Sequence, residues 1–131
     1  PAPTPEAPSG TVIGSGSFDS STGVGLNTHT AWTAAEQADG SVKLTLSVYV
    51  RSYTLEIGQR SIAISVNGAT SGGLTRSFSV DSPNSQTDTL IYTYSTTVQK
   101  GSAVSVSVDW NYKGQYSGRD LDVISSSSSI F

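Results

Sequence analysis

The segment Val42-Lys43-Leu44-Thr45-Leu46-Ser47-Val48-Tyr49-Val50 alternates apolar and polar residues without a break. A period of two places Val42, Leu44, Leu46, Val48 and Val50 on one face of an extended strand. Lys43, Thr45, Ser47, Tyr49 and Arg51 fall on the other. The same alternation recurs through Ile62, Ile64 and Val66, and through Val104, Val106, Val108, Trp110 and Tyr112. Further strands are predicted over Val12–Phe18, Thr28–Gln37, Leu74–Val80 and Thr89–Val98. Tyr53–Ile57 continues or bends the strand before Gly58. Leu121–Phe131 closes the chain, and its low-complexity run Ser125–Ser129 is read as part of a strand because Ile130 and Phe131 follow it.

Turn signals separate these segments. Asp39-Gly40 and Asn67-Gly68 are pairs favoured where both central turn residues take positive φ. Asp19–Asn27 is broken by Gly23 and Gly25, Asp81–Thr87 by Pro83, and Lys113–Asp120 reads as a Gly/Tyr loop. No stretch sustains a helical period. About eight short strands, each with one apolar face, predict an all-β fold: an antiparallel two-sheet β-sandwich, immunoglobulin-like or jelly-roll-like. Ahead of it, Pro1–Pro8 reads P-A-P-T-P-E-A-P. Residues 1–10 are therefore expected to form a Pro-rich, extended or disordered linker, and 11–131 a single domain. Such a layout fits a module carried within a longer chain.

Composition narrows the chemistry. The 131 residues suffice to bury a core unaided. There is no Cys, which excludes disulfides, thiol nucleophiles and thiolate metal sites. The net charge is −3 and the pI about 4.8, with cations scattered singly from Lys43 to Arg119. No basic stripe exists to displace counterions from a phosphate backbone or to hold an anionic membrane, so neither nucleic acid nor membrane insertion is expected.

Catalytic readings find little support in the residues. His29 is the sole histidine, and no G-x-S-x-G elbow accompanies it. Asp109, Asp120 and Asp122 are the nearest carboxylate cluster for glycoside hydrolysis, but the alternation sends Asp109 to a wet face. Asp81, Asn84 and Asp88, or Asp19 and Asn27, flank loops that a calcium ion would suit, yet neither set has EF-hand spacing, and such residues serve commonly as turn formers. A Lys–Asn cross-link needs a buried lysine. Lys43 is out of phase with the core, and Lys100 and Lys113 fall in turns. The chain is read as a non-enzyme with no cofactor and no metal.

Sugar binding is the positive case. Aromatic rings stack on pyranose faces while polar neighbours bond the hydroxyls. Trp32 and Trp110 are in phase with core positions, whereas Tyr49 turns outward beside Arg51, and Tyr116 sits in the Gly114–Gly118 loop. Tyr49, Arg51 and Tyr116 are the ligand-binding candidates.

Gly16-Ser17-Phe18, Thr22-Gly23, Trp32, Trp110 and Tyr116-Ser117-Gly118 together resemble uncharacterised accessory β-sandwich modules of secreted or surface proteins of Gram-positive, often gut-dwelling, bacteria. The resemblance spans most of residues 11–131. It implies an extracellular or cell-surface accessory role and transfers no site residue. The expected function is weak binding to a glycan or cell-wall polymer, or positioning of neighbouring domains. A stalk or adhesin domain contacting a protein, or a phage-tail or virion β-module, is the alternative.

Overall fold

A computed structural model describes residues 10–130. The expected linker lies outside these residues except for Gly10. Gly10 already docks on the domain: at φ 79°, its missing side chain lets the Glu36 carbonyl approach.

All regular structure among the described residues is β. One four-stranded antiparallel sheet has the order β1 (Thr11–Asp19), β2 (Asn27–Glu36), β3 (Val42–Ser52), β8 (Thr87–Val98). The other has the order β12 (Ile124–Ser129), β9 (Ser105–Trp110), β5 (Ser61–Val66), β6 (Ala69–Leu74). Two short ribbons complete the molecule: β4 (Leu55–Ile57) with β7 (Phe78–Val80), and β10 (Gly114–Tyr116) with β11 (Arg119–Leu121). The fold is the antiparallel β-sandwich expected, with twelve strands rather than about eight. The surplus comes mainly from three-residue pieces, too short to show a period.

The core follows the alternation. Val42, Leu44, Leu46, Val48 and Val50 are at most 1% exposed, and they pack with Ile62, Ile64, Val66, Val106, Val108 and Trp110 of the second sheet. Trp110 is fully buried, tilted against Tyr112 at a ring separation of 5.3 Å. The serine run is a strand: Ser125 to Ser129 pair with Asp109 to Ser105 of β9. Ser126 points inward and is buried, and Ser125 and Ser127 are exposed. Its outward serines meet Ser107, Ser65 and Thr70 across the sheet, giving this face a cover of small hydroxyls.

Some local expectations hold and others are corrected. Asn67-Gly68 has both residues at positive φ, 51° and 85°, as a two-residue hairpin requires. At Asp39-Gly40 only Gly40 is positive, because the loop is one residue longer and bonds Gln37 to both Gly40 and Ser41. Leu74–Val80 is not one strand. Thr75 is buried and exchanges hydrogen bonds with Arg60, so the chain leaves β6 after an exposed Leu74 and resumes at β7. Lys113–Asp120 is not a plain loop but the β10–β11 hairpin, turned at Ser117 and Gly118 with φ 54° and 78°. Thr45 and Ser47 do face outward but are nearly inaccessible, since short side chains in a central strand lie between neighbours on both sides.

A polar seam runs through the interior. Thr28 and Thr30 of β2, and Ser126 of β12, bury hydroxyls that no protein group bonds. Burying a hydroxyl without a partner costs about 1–3 kcal/mol. Thr30→Val keeps the shape and removes the hydroxyl, so it should raise stability by about 1 kcal/mol in denaturant titration; a loss would mean that the hydroxyl is bonded. Val48→Asp should abolish folding, because an unpaired interior charge costs more than the few kcal/mol by which such domains are stable. Ser127→Asp should leave the melting temperature nearly unchanged, and equal damage from the two aspartates would show the face assignment to be wrong.

Candidate functional site

The sequence-predicted residues lie in two places. Tyr49 and Arg51 stand on the outer face of the first sheet, near the end where β1 finishes and β2 begins. Tyr49 is half-buried between His29 and Leu90 in the cross-strand row, with its ring 6.1 Å from the imidazole. His29 in turn meets the Asp19 carboxylate through Nδ1 at 2.5 Å. Arg51 is committed to Asp88, with Nε donating to Oδ1 at 2.9 Å and Nη2 to Oδ2 at 3.2 Å. That bidentate grip raises the guanidinium's pKa and holds the Asp88 carboxyl below its ordinary value.

A bulge makes this pair possible. Along β8, Tyr92 pairs with Val48 but Leu90 pairs with Tyr49, so Ile91 is the extra residue. The slip turns Ile91 into the core and reverses the strand's phase. Asp88 therefore reaches the outer face, opposite Arg51, instead of the interior.

Tyr116 belongs elsewhere. It lies at the pole of the sandwich where the β1–β2, β3–β4 and β7–β8 connections meet the β10–β11 hairpin. Its hydroxyl accepts the Tyr53 backbone N–H at 3.0 Å. Both rings lie over Gly25: a side chain there would meet the Tyr53 ring at 3.0 Å and the Tyr116 ring at 3.7 Å. With Pro83 they form the apolar floor and walls of an open cleft of about 530 Å³. Thr54, Glu56, Gln115 and Ser117 supply polar groups around it.

The cleft is held by hydrogen bonds between its loops. Gln86 Nε2 donates to the Gly25 carbonyl at 3.0 Å, and Ser82 N–H to Thr54 Oγ1 at 3.1 Å. Arg119 Nη1 donates to the Thr22 carbonyl at 2.8 Å. Asn27 Oδ1 accepts from Ser20 Oγ and Thr22 N–H, so this residue is a turn former. Such cross-bracing fixes the aromatic pair in one arrangement.

The remaining candidates are structural. Tyr112 is buried, its hydroxyl donating to the Gln115 carbonyl at 2.6 Å, and burial raises its pKa. Tyr92 and Tyr94 face inward, half-buried. Tyr92 closes the sandwich edge by lying against Gly73. Asp109 does point outward, and Asp88 is taken by Arg51. Among the described residues no three His, Asp or Glu side chains converge where they could hold a metal ion. Reading by strand phase selects Tyr116 alone from this cleft and passes over Glu56 and Tyr53. Tyr53 lies 63 residues from its partner Tyr116, and only its position just beyond β3 hinted at a rim.

Asp88 yields a pH prediction. Its folded pKa is depressed, so the stability it contributes is present above about pH 4 and is lost as pH falls through the lowered value. The pair is more than a third exposed, so Asp88→Asn should cost under about 1 kcal/mol at pH 7. The gap between wild type and variant should close on acidification; a gap that widened instead would reverse the sign assigned to this group.

Comparison with protein-family models, with curated proteins and with solved structures found no match.

Proposed function

We propose that this chain is a non-catalytic extracellular accessory module that binds a glycan weakly through the polar cleft of Tyr53 and Tyr116. The observation that carries this reading is the pair of tyrosine rings set over Gly25, one fixed to the other's backbone and both open to solvent on the cleft side. Aromatic faces offer a sugar the C–H contacts it needs, and the surrounding amide, hydroxyl and carboxylate groups suit its equatorial hydroxyls. An open cleft of a few side chains supports low affinity rather than enclosure. A role in holding a neighbouring domain near its substrate follows naturally from weak binding of this kind.

Tyr49 and Arg51 are a less suitable site. Arg51 is already paired with Asp88, and Tyr49 is half-buried between Leu90 and His29, whose imidazole is itself engaged by Asp19.

A glycan array followed by calorimetry tests the reading. Saturable binding should fall at least tenfold in Tyr53→Ala and in Gly25→Val, which pushes the Tyr53 ring aside, while Tyr49→Ala binds as wild type. Circular dichroism melts control for folding. Binding lost in Tyr49→Ala and kept in Tyr53→Ala would move the site to the sheet face. Absence of binding to any glycan, with specific capture of a protein partner, would favour the adhesin role.

A further inference from the structure

The cleft contains one charged side chain. Glu56 is the central residue of β4, where Leu55 and Ile57 point into the core, so the strand's alternation drives its carboxylate outward to the rim. No cation lines the cleft with it. Of the basic residues at the β10–β11 hairpin, Lys113 does not line the cleft and Arg119 is turned away to the Thr22 carbonyl, and Arg51 is held by Asp88. Glu56 itself forms no ion pair among the described residues. A carboxylate lining the same cleft as two tyrosine rings is the chemistry that receives an ammonium group: the anion attracts the charge, and the ring faces attract it through their quadrupoles. The same arrangement repels carboxylate and phosphate.

Resting on the glycan reading above, we propose that the cleft selects its sugar by charge and takes amine-bearing glycans, those with free rather than acetylated 2-amino groups, in preference to uronates or phosphorylated polymers. Glu56 is the specificity-determining residue. Tyr53 and Tyr116 supply the stacking that any pyranose would share.

The test uses matched oligosaccharides: a glucosamine tetramer, its fully N-acetylated form, and a uronic-acid tetramer, titrated at pH 6 and low salt. The amine form should bind about threefold to fivefold tighter than the acetylated form, as expected of one partly exposed charge contact. The uronate should bind weakest. The preference should shrink as salt is raised. In Glu56→Gln, whose exposed position spares the fold, the ratio of amine to acetylated affinity should approach one. Should the amine preference survive Glu56→Gln, the charge is read elsewhere on this acidic molecule and the inference falls. Equal binding of all three sugars, abolished by Tyr53→Ala, would keep the glycan site and overturn the charge selection. If none of the three binds and the array is blank, the glycan site and its selectivity both fail.

Discussion

The molecule depends on the burial of one side of β3. This strand lies between β2 and β8, and its Val42, Leu44, Leu46, Val48 and Val50 meet the second sheet almost without exposure. There is no disulfide to hold the layers together. Association of the sheets therefore rests on apolar area removed from water, and β3 contributes its longest continuous row. The outward row on the same strand is fixed by the same choice, since successive side chains must point to opposite sides. Arg51 and Tyr49 are outward because Val50 is inward.

The polar pole inherits its geometry from that frame. β3 ends at Ser52, buried at the edge of the core, and the next residue, Tyr53, emerges at the rim. β9 ends at the buried Trp110, and the chain then turns out through Tyr112 into the hairpin that carries Tyr116. Two core strands thus deliver two rings to one place. The hydrogen bond from Tyr53 N–H to the Tyr116 hydroxyl locks the arrangement, and Gly25 leaves room for it. The sandwich acts as a rigid scaffold and its connections carry the exposed side chains.

What the sequence made legible was whatever a period of two records. The inward rows of β3, β5 and β9 are written in alternating Val, Ile and Leu, and Asn67-Gly68 marks its hairpin. The serine run gave a weaker signal, yet Ile124 and Ile130 anchor it in phase. The bulge at Ile91 was not legible, because a single inserted residue leaves no composition signature and shifts every position before it. β4, β7, β10 and β11 are too short to display a pattern. The cleft was half legible: Tyr116 stood out in a Gly-flanked loop, but its apposition to Tyr53 depends on a tertiary contact. Tyr49 was correctly placed outward, though outward placement alone does not make a site.

The path of the chain at the other pole has a mechanical meaning. Thr11 enters beside Glu36, and Ser129 leaves beside Ser105, both at the end of the sandwich farthest from Tyr53 and Tyr116. Gly10 and Ile130 therefore lie together at the base of the domain, opposite the cleft. β3 alone spans roughly 35 Å at 3.3 Å per residue, so the cleft lies about that far from this base. Tension applied between Gly10 and Ile130 would load β1 and β12 from their outer tips, opening rungs one by one instead of shearing them together. The aromatic pair, at the opposite tip, would be the last part of the domain to feel the pull.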